Sequence, residues 1–320
     1  MRFATALLFA ATLCLSQQSF SQNKGKYKIY KPDFGPMLAI PNAKDTWDAL
    51  TREGNKNGMT KELLLKKAAI VQPIVEKNPN WVDGYWMYAN MMMIYGETQS
   101  SNDKKSMKTT RAYLVEARES SKKCLELAPN NMICKFFYGG ALGKIATIDG
   151  IMSSLTKGKI ILKHWQEVYA SDQEFIFEDG MSLQGLVRYA LGIYFRVVPD
   201  FILLDWLFDI SGDIKKSVQM HRESLVFEGG DGPCSKLMLA VSLLCKSDGE
   251  ANDPETKQAF NILDQIKITP KYNSQSAMVC VDDAPKLKKK PGDACGYTKA
   301  QVQKRDKKAL EEQQIETSPP

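Results

Sequence analysis

The chain has only two histidines in 320 residues, so histidine chemistry can be traced completely. His164 opens a His-Trp-Gln-Glu segment that sets His164 and Glu167 one helical turn apart on one face. That spacing can ligate a metal, but a zinc site needs a third protein ligand and none is evident. No metal or other cofactor is expected. His221 lies in a helical pattern at a position that a packing aromatic ring would suit. Glu174, Glu178 and Asp179 cluster ahead of Gly180, and a solvated turn accounts for them better than acid–base chemistry. There is no Gly-x-Ser-x-Gly elbow and no phosphate loop. Gly139, Gly140 and Gly143 fall inside a helical pattern with no strand before it, which points to close helix packing. The expectation is a binding protein, not an enzyme.

Seven cysteines are present, one of them, Cys14, within the first apolar stretch. The other six are Cys124, Cys134, Cys234, Cys245, Cys280 and Cys295, an even number that permits disulfides in an exported chain. Cys234 and Cys245 share one predicted helix, where eleven residues rise about 16 Å, too far for a bond between them. Cys280 and Cys295 flank a segment rich in Pro, Lys and Gly and are expected to pair. Cys124 and Cys134 straddle Pro129 at a helix-to-helix turn and can meet across it. The alternative for the helix-borne cysteines is that they are small apolar fillers.

Export is read from the first residues. Met1-Arg2 precedes an apolar run from Phe3 to Leu15, the plan of a secretory signal peptide, and far short of the roughly 20 residues that span a bilayer. Ser19 and Ser21 favour cleavage after Ser21. A lipid anchor is not expected at Cys14, because Leu13 before it is not small. The expected location is periplasmic or secreted. The net charge of +6 is mild, and with export it argues against a nucleic-acid partner. A hydrophobic share of 43% is ample for a core.

Two apolar features stand out as candidate binding surfaces. Trp81, Tyr85, Trp86 and Tyr88 lead into Met91, Met92 and Met93, a segment apolar all round that must be buried or line a cavity. The second feature runs from Val197 to Ile210 and carries Phe201, Leu204, Trp206 and Phe208. An apolar insertion between scaffold helices caps the core, lines a pocket or meets a partner.

The elements that position these residues read as helices almost throughout. Residues 22–43, with Pro32, Pro36 and Pro41, form an extended arm. Thr60 caps a helix to about Asn78 that holds Leu63, Leu64, Ala68, Val71 and Val75 on or near one face, with a kink expected at Pro73. An aromatic helix follows to Tyr95, then a polar loop from Gln99 to Ser106. Further helices are predicted near 109–127, 131–148, 151–170, 181–196, 213–227, 232–246 and 254–267. Segment 271–296 reads mostly as loop. Thr298 and Gln301 suit a capping box for a last charged helix, within a region from Lys286 onward of nine basic and five acidic residues.

Small residues recur where paired helices would cross. Five residues after Gly212 stands Ser217, then His221, then Ser224, and Gly229-Gly230 ends the helix. Ala117 and Cys124 precede Pro129, and Gly139 follows it. Tyr85 and Ala89 follow Pro79, and Leu191-Gly192-Ile193-Tyr194-Phe195 fits the first helix of such a unit. Pro79 and Pro129 are 50 residues apart, against about 34 in the tetratricopeptide pattern. The fold expected is all-α, with antiparallel helix pairs stacked as a degenerate tetratricopeptide-like right-handed solenoid containing insertions.

The Leu-Glu-Leu-Ala-Pro-Asn turn at 125–130, the Leu-Gly segment at 191–195 and the apolar insertion before Gly212-Asp213 together resemble the T component of TRAP transporters and the related regulator-of-microtubule-dynamics type of helical repeat. The resemblance covers about residues 60–268. It implies a homo-oligomer around a central pore and association with a periplasmic solute-binding protein. The domain reading is a signal peptide at 1–21, the arm at 22–43, a helical-repeat domain at 44–268 and a loop with a charged tail at 269–320. The expected function is that of an accessory subunit of a TRAP-type uptake system, binding an apolar small molecule or a protein partner. The alternative is an envelope assembly scaffold acting through protein contacts with no small ligand.

Overall fold

The computed structural model describes residues 27–99, 104–150, 154–200, 210–269, 272, 274–299 and 301–303. A two-residue strand β1 (Lys28–Ile29) leads to α1 (Gly35–Leu38), α2 (Ala43–Asn57), α3 (Lys61–Lys77), α4 (Val82–Gln99), α5 (Lys104–Leu127), α6 (Met132–Asp149) and α7 (Leu155–Ala170). After β2 (Gln173–Glu174) come α8 (Leu183–Val197), α9 (Ile214–Phe227), α10 (Pro233–Lys246), α11 (Pro254–Asp264), α12 (Gln275–Lys289) and a 3-10 turn at Pro291–Asp293. Neighbouring helices pack in pairs as an all-α helical-repeat solenoid, and the one sheet among the described residues is the parallel pairing of β1 with β2.

Local chemistry sets the helix ends. Thr60 accepts from the Leu63 amide at 3.3 Å to start α3, and Asn131 accepts from Ile133 and Cys134 at 2.9 and 3.2 Å to start α6. Ser182, Asp213, Asp253 and Ser274 cap α8, α9, α11 and α12 in the same way. Each cap satisfies an amide that would otherwise lack a partner, worth about 1 kcal/mol. Past α9, Gly229 and Gly230 adopt φ of +77° and +85°, a left-handed turn that glycine enters without steric cost.

Packing follows the predicted crossings. Ser217, His221, Ser224, Ala117 and Cys124 are all fully buried. A β-carbon on Gly139 would lie 2.7 Å from Nε1 of Trp165 on α7, so only glycine allows that approach. The first apolar core draws on α1 to α9, from Met37 to Met220. A second, around Leu237, Val241, Leu244, Ala259 and Cys280, fills the C-terminal helices.

Several expectations need correction. The segment 271–296 is not mostly loop: α12 spans most of it, because Ala277, Cys280, Ala284 and Leu287 recur at helical spacing and are buried. This helix also overturns the Cys280–Cys295 pairing. From Cys280 the helix runs nine residues onward, about 13 Å, carrying the chain away before it returns. Cys280 bonds to Cys234, and Cys295 to Cys245. The third disulfide joins Cys124 and Cys134, across the turn where the sequence allowed it. Three disulfides fit an oxidising, exported environment.

Thr298 and Gln301 open no helix through residue 303. Tyr297 instead bridges Val302, and the Gln301 side chain donates to the Thr147 carbonyl at 2.6 Å. Helix α2, with Ala43, Trp47, Leu50 and Gly54 buried, was not anticipated. The loop expected from Gln99 to Ser106 is shorter, since α4 runs through Gln99 and α5 begins at Lys104. The expected signal peptide at 1–21, the charged residues after 303, and Phe201, Leu204, Trp206 and Phe208 lie outside the described residues. Among the described residues no helix is long and apolar enough to cross a membrane.

Candidate functional site

The aromatic segment divides between the core and a surface groove. Trp81 and Trp86 are each 4% exposed, and Met91, Met92 and Met93 are buried with them. Trp86 stacks on Phe137 with centroids 6.1 Å apart and meets Phe175 edge-on at 5.2 Å. These residues are core. Tyr85 and Tyr88, one turn apart on α4, are only partly buried and face outward between α3 and α5.

There they line an open groove of about 420 Å3. Its other walls are Gln72, Val75 and Glu76 of α3, and Val115, Glu116, Glu119, Ser120 and Lys123 of α5. The Tyr88 hydroxyl donates to Glu116 Oε2 at 3.0 Å. Burial first, and then the Glu116 charge, push the Tyr88 phenol up to about 12, so it stays protonated and donating at neutral pH. The Tyr85 hydroxyl donates to the Pro79 carbonyl at 3.2 Å, and Ser120 donates to the Tyr85 carbonyl at 2.7 Å. Tyr88 is therefore held through its hydroxyl, and Tyr85 through its hydroxyl and its backbone carbonyl. The sequence pointed to Tyr85 and Tyr88 but not to Val75, Glu76, Val115, Glu116 or Glu119. These join the groove through the register of three helices, which no local pattern encodes.

Two polar clusters apart from the groove lining are structural. Asp83, 3% exposed, accepts from Tyr30 Oη at 2.7 Å, the Asp33 amide at 2.7 Å and Trp86 Nε1 at 2.5 Å. The Trp81 indole donates to the Asp33 carbonyl at 2.8 Å. The segment from Tyr30 to Asp33 is thus clamped onto the start of α4. Its backbone also pairs with β2, with the Tyr30 amide 2.7 Å from the Glu174 carbonyl.

In the second cluster the fully buried Lys67 ammonium donates to Glu178, and to Thr51 Oγ1 at 2.8 Å, while lying 3.9 Å from the centre of the Trp47 ring. Burial holds Lys67 below the usual lysine range, opposed by the Glu178 charge. The carboxylates ahead of Gly180 are therefore not simply a solvated turn. Glu178 neutralises a buried cation, and Glu174, 5% exposed, accepts from Ser182 Oγ at 2.6 Å and the Phe175 amide at 2.9 Å. A signal for Lys67 was present: it lies between Leu64 and Val71 on the apolar face of α3.

The histidines are apart and serve no common site. His221 is fully buried, and Tyr189 meets its ring edge-on at 5.8 Å. Glu167, the would-be partner of His164, pairs with Lys135 at 2.6 Å. Among the described residues no group of three or more His, Cys, Asp or Glu is placed to hold a metal. Arg196, fully buried on α8, donates to the Ala294 and Cys295 carbonyls at 2.8 and 3.2 Å, tying the C-terminal turn to the solenoid. The ends of the apolar insertion are adjacent: Val198 and Ile210 are buried, and the Asp213 amide donates to the Phe195 carbonyl at 2.8 Å.

No family model matches this chain, and no curated protein matches it.

Proposed function

We propose that this chain is an exported helical-repeat binding protein, and that a partner docks in the groove between α3, α4 and α5. The observation that carries this reading is the outward placement of Tyr85 and Tyr88. Two large rings, held by hydrogen bonds, remain in the lining of an open groove while their neighbours Trp81 and Trp86 are consumed by the core. Aromatic rings held rigidly lose little entropy on binding and contribute large contact area. The three disulfides support an exported setting. The resemblance to the T component of TRAP transporters supplies the physiological proposal: an accessory subunit of a solute uptake system whose partner is a solute-binding protein.

The test is photo-crosslinking from the groove. The photoreactive residue p-benzoylphenylalanine replaces Tyr88, and in a control replaces the exposed Leu65, in cells producing the chain with its export signal. The expected result is one dominant adduct from position 88 that position 65 does not give. A solute-binding protein in that adduct supports the uptake role, and an envelope structural protein supports the scaffold role. Identical adduct patterns from both positions would remove the groove as a docking site.

A further inference from the structure

The groove differs in charge from the molecule that carries it. Its walls hold three carboxylates, Glu76, Glu116 and Glu119, against one ammonium, Lys123, in a chain of net charge +6. Among the described residues, neither Glu76 nor Glu116 forms an ion pair. Glu76 accepts from Gln72 at 3.3 Å and Glu116 from Tyr88 at 3.0 Å, both neutral donors. Among the described residues Glu119 pairs with Arg118 alone, its neighbour in the chain, and Lys123 is engaged with Glu126 at 3.4 Å. Elsewhere on the same surface carboxylates find cations readily, as in Lys66–Glu62, Arg111–Asp149 and Lys144–Glu97. The lining also carries apolar surface, from Val75, Val115 and the two tyrosine rings.

We infer that the groove takes a lysine or arginine side chain presented by a segment of a protein partner. The charge sits among Glu76, Glu116 and Glu119, and the hydrocarbon stem lies on Tyr85, Tyr88 and Val115. Three features converge on this chemistry. Lysine and arginine carry an apolar stem ending in a cation, and the groove lining offers both apolar surface and carboxylates. Aromatic faces attract cations, arginine most often. The groove is open along its length, whereas a small molecule's site encloses most of its ligand, so a side chain projecting from a larger partner fits better. The inference rests on the groove being the docking site, and it adds the partner's chemistry.

The experiment uses the full mature chain and a fluorescein-labelled probe peptide, Gly-Leu-Arg-Leu-Lys-Leu-Arg-Gly. A neutral twin carries citrulline for arginine and acetyl-lysine for lysine. Fluorescence polarisation is read at low and moderate salt. The cationic peptide is expected to bind at least tenfold tighter than its twin, and to weaken as salt screens the charges. The double substitution Glu76→Gln with Glu116→Gln is expected to weaken it at least fivefold with the melting temperature unchanged. Glu53→Gln with Glu62→Gln, exposed carboxylates outside the groove, is expected to leave affinity as it was.

Equal binding of the neutral twin overturns the inference, as does indifference to the Glu76 and Glu116 substitutions or no binding up to millimolar peptide. Tighter binding of benzyltrimethylammonium than of the peptide also overturns it, in favour of a small organic cation. Tyr88→Ala separates the two levels. If both peptides bind alike and both are lost in Tyr88→Ala, the docking site stands and only its charge preference fails. If Tyr88→Ala changes nothing, the docking site itself fails.

Discussion

The imidazole of His221 packs against Gly192 so closely that a β-carbon built on Gly192 would lie 2.6 Å from its Nε2. This contact joins α9 to α8 at full burial, and among the described residues neither ring nitrogen has a hydrogen-bond partner. Burial holds the histidine well below its ordinary value, and the Arg196 charge lowers it further. Above about pH 6.5, the unperturbed value, His221 is neutral whether the chain is folded or not. Below it the unfolded chain takes up a proton that the folded chain refuses, so stability falls as pH falls, by up to about 1.4 kcal/mol per pH unit. His221→Phe keeps an aromatic ring and should flatten this slope. Urea unfolding between pH 7.5 and 4.5 reads the difference, and equal slopes in the two proteins would refute it.

Gly192→Ala should destabilise the fold by about 1–3 kcal/mol through overpacking against the same ring. In a His221→Ala background the added methyl should cost much less, because its obstacle is gone. Thermal melts of the four proteins form the cycle, and additive losses would show that the crowding lies elsewhere.

Lys67 and Glu178 should respond unequally to neutralisation. Lys67→Met leaves a carboxylate whose side chain is 35% exposed and can reach water, so the loss should be about 1.5–3 kcal/mol. Glu178→Gln leaves an ammonium with no exposure at all, and should cost about 3–5 kcal/mol. The second variant should regain stability as pH rises toward about 10.4, because the folded chain can release the Lys67 proton while the unfolded chain keeps it. Denaturant titrations at pH 7 and pH 9.5 test both the order and the recovery.

Asp83 should control the arm. Asp83→Ala removes the acceptor of Tyr30 Oη, the Asp33 amide and Trp86 Nε1 together, a loss of about 1–3 kcal/mol carried mainly by the buried Trp86 donor. Hydrogen exchange at the Tyr30 amide, which bonds to Glu174, should accelerate before the helices do. Unchanged exchange there would mean that β-pairing alone holds the arm.

Non-reducing peptide mapping should recover Cys234 with Cys280 and Cys245 with Cys295, and no peptide joining Cys280 to Cys295. Replacing both Cys234 and Cys280 by Ala opens a loop of 46 residues and should cost about 4 kcal/mol on the chain-entropy account. The loss should appear as earlier exposure of α12 under proteolysis.

Much of the helical scaffold was legible from periodicity and punctuation. Thr60, Pro79, Pro129 and Gly229-Gly230 mark ends that local backbone chemistry enforces, and the predicted helix at 213–227 matches α9 to within a residue. Helix α12 was hidden because Pro285 and a run of lysines resemble loop composition, while its apolar face is spread thinly over Ala277, Cys280, Ala284 and Leu287. The cysteines followed the same division. Cys124 and Cys134 meet across a short turn that the sequence displays. The other two pairings join residues 46 and 50 apart, and depend on where α12 and the 3-10 turn lie against α10.

Fold class, the small residues at helix crossings and the aromatic character of α4 were readable along the chain, because each depends on backbone preferences or periodicity within one element. Which of the aromatics enter the core and which line the groove depends on tertiary packing. Trp81, Tyr85, Trp86 and Tyr88 lie within two turns of one another and look alike in sequence. Their fates diverge because α3 and α5 flank one side of α4, leaving Tyr85 and Tyr88 at a groove, while the arm and the Phe175–Phe177 turn close over the other. The carboxylates that give the groove its charge come from helices on both sides of it, and they meet through packing register, which no local pattern within one helix records.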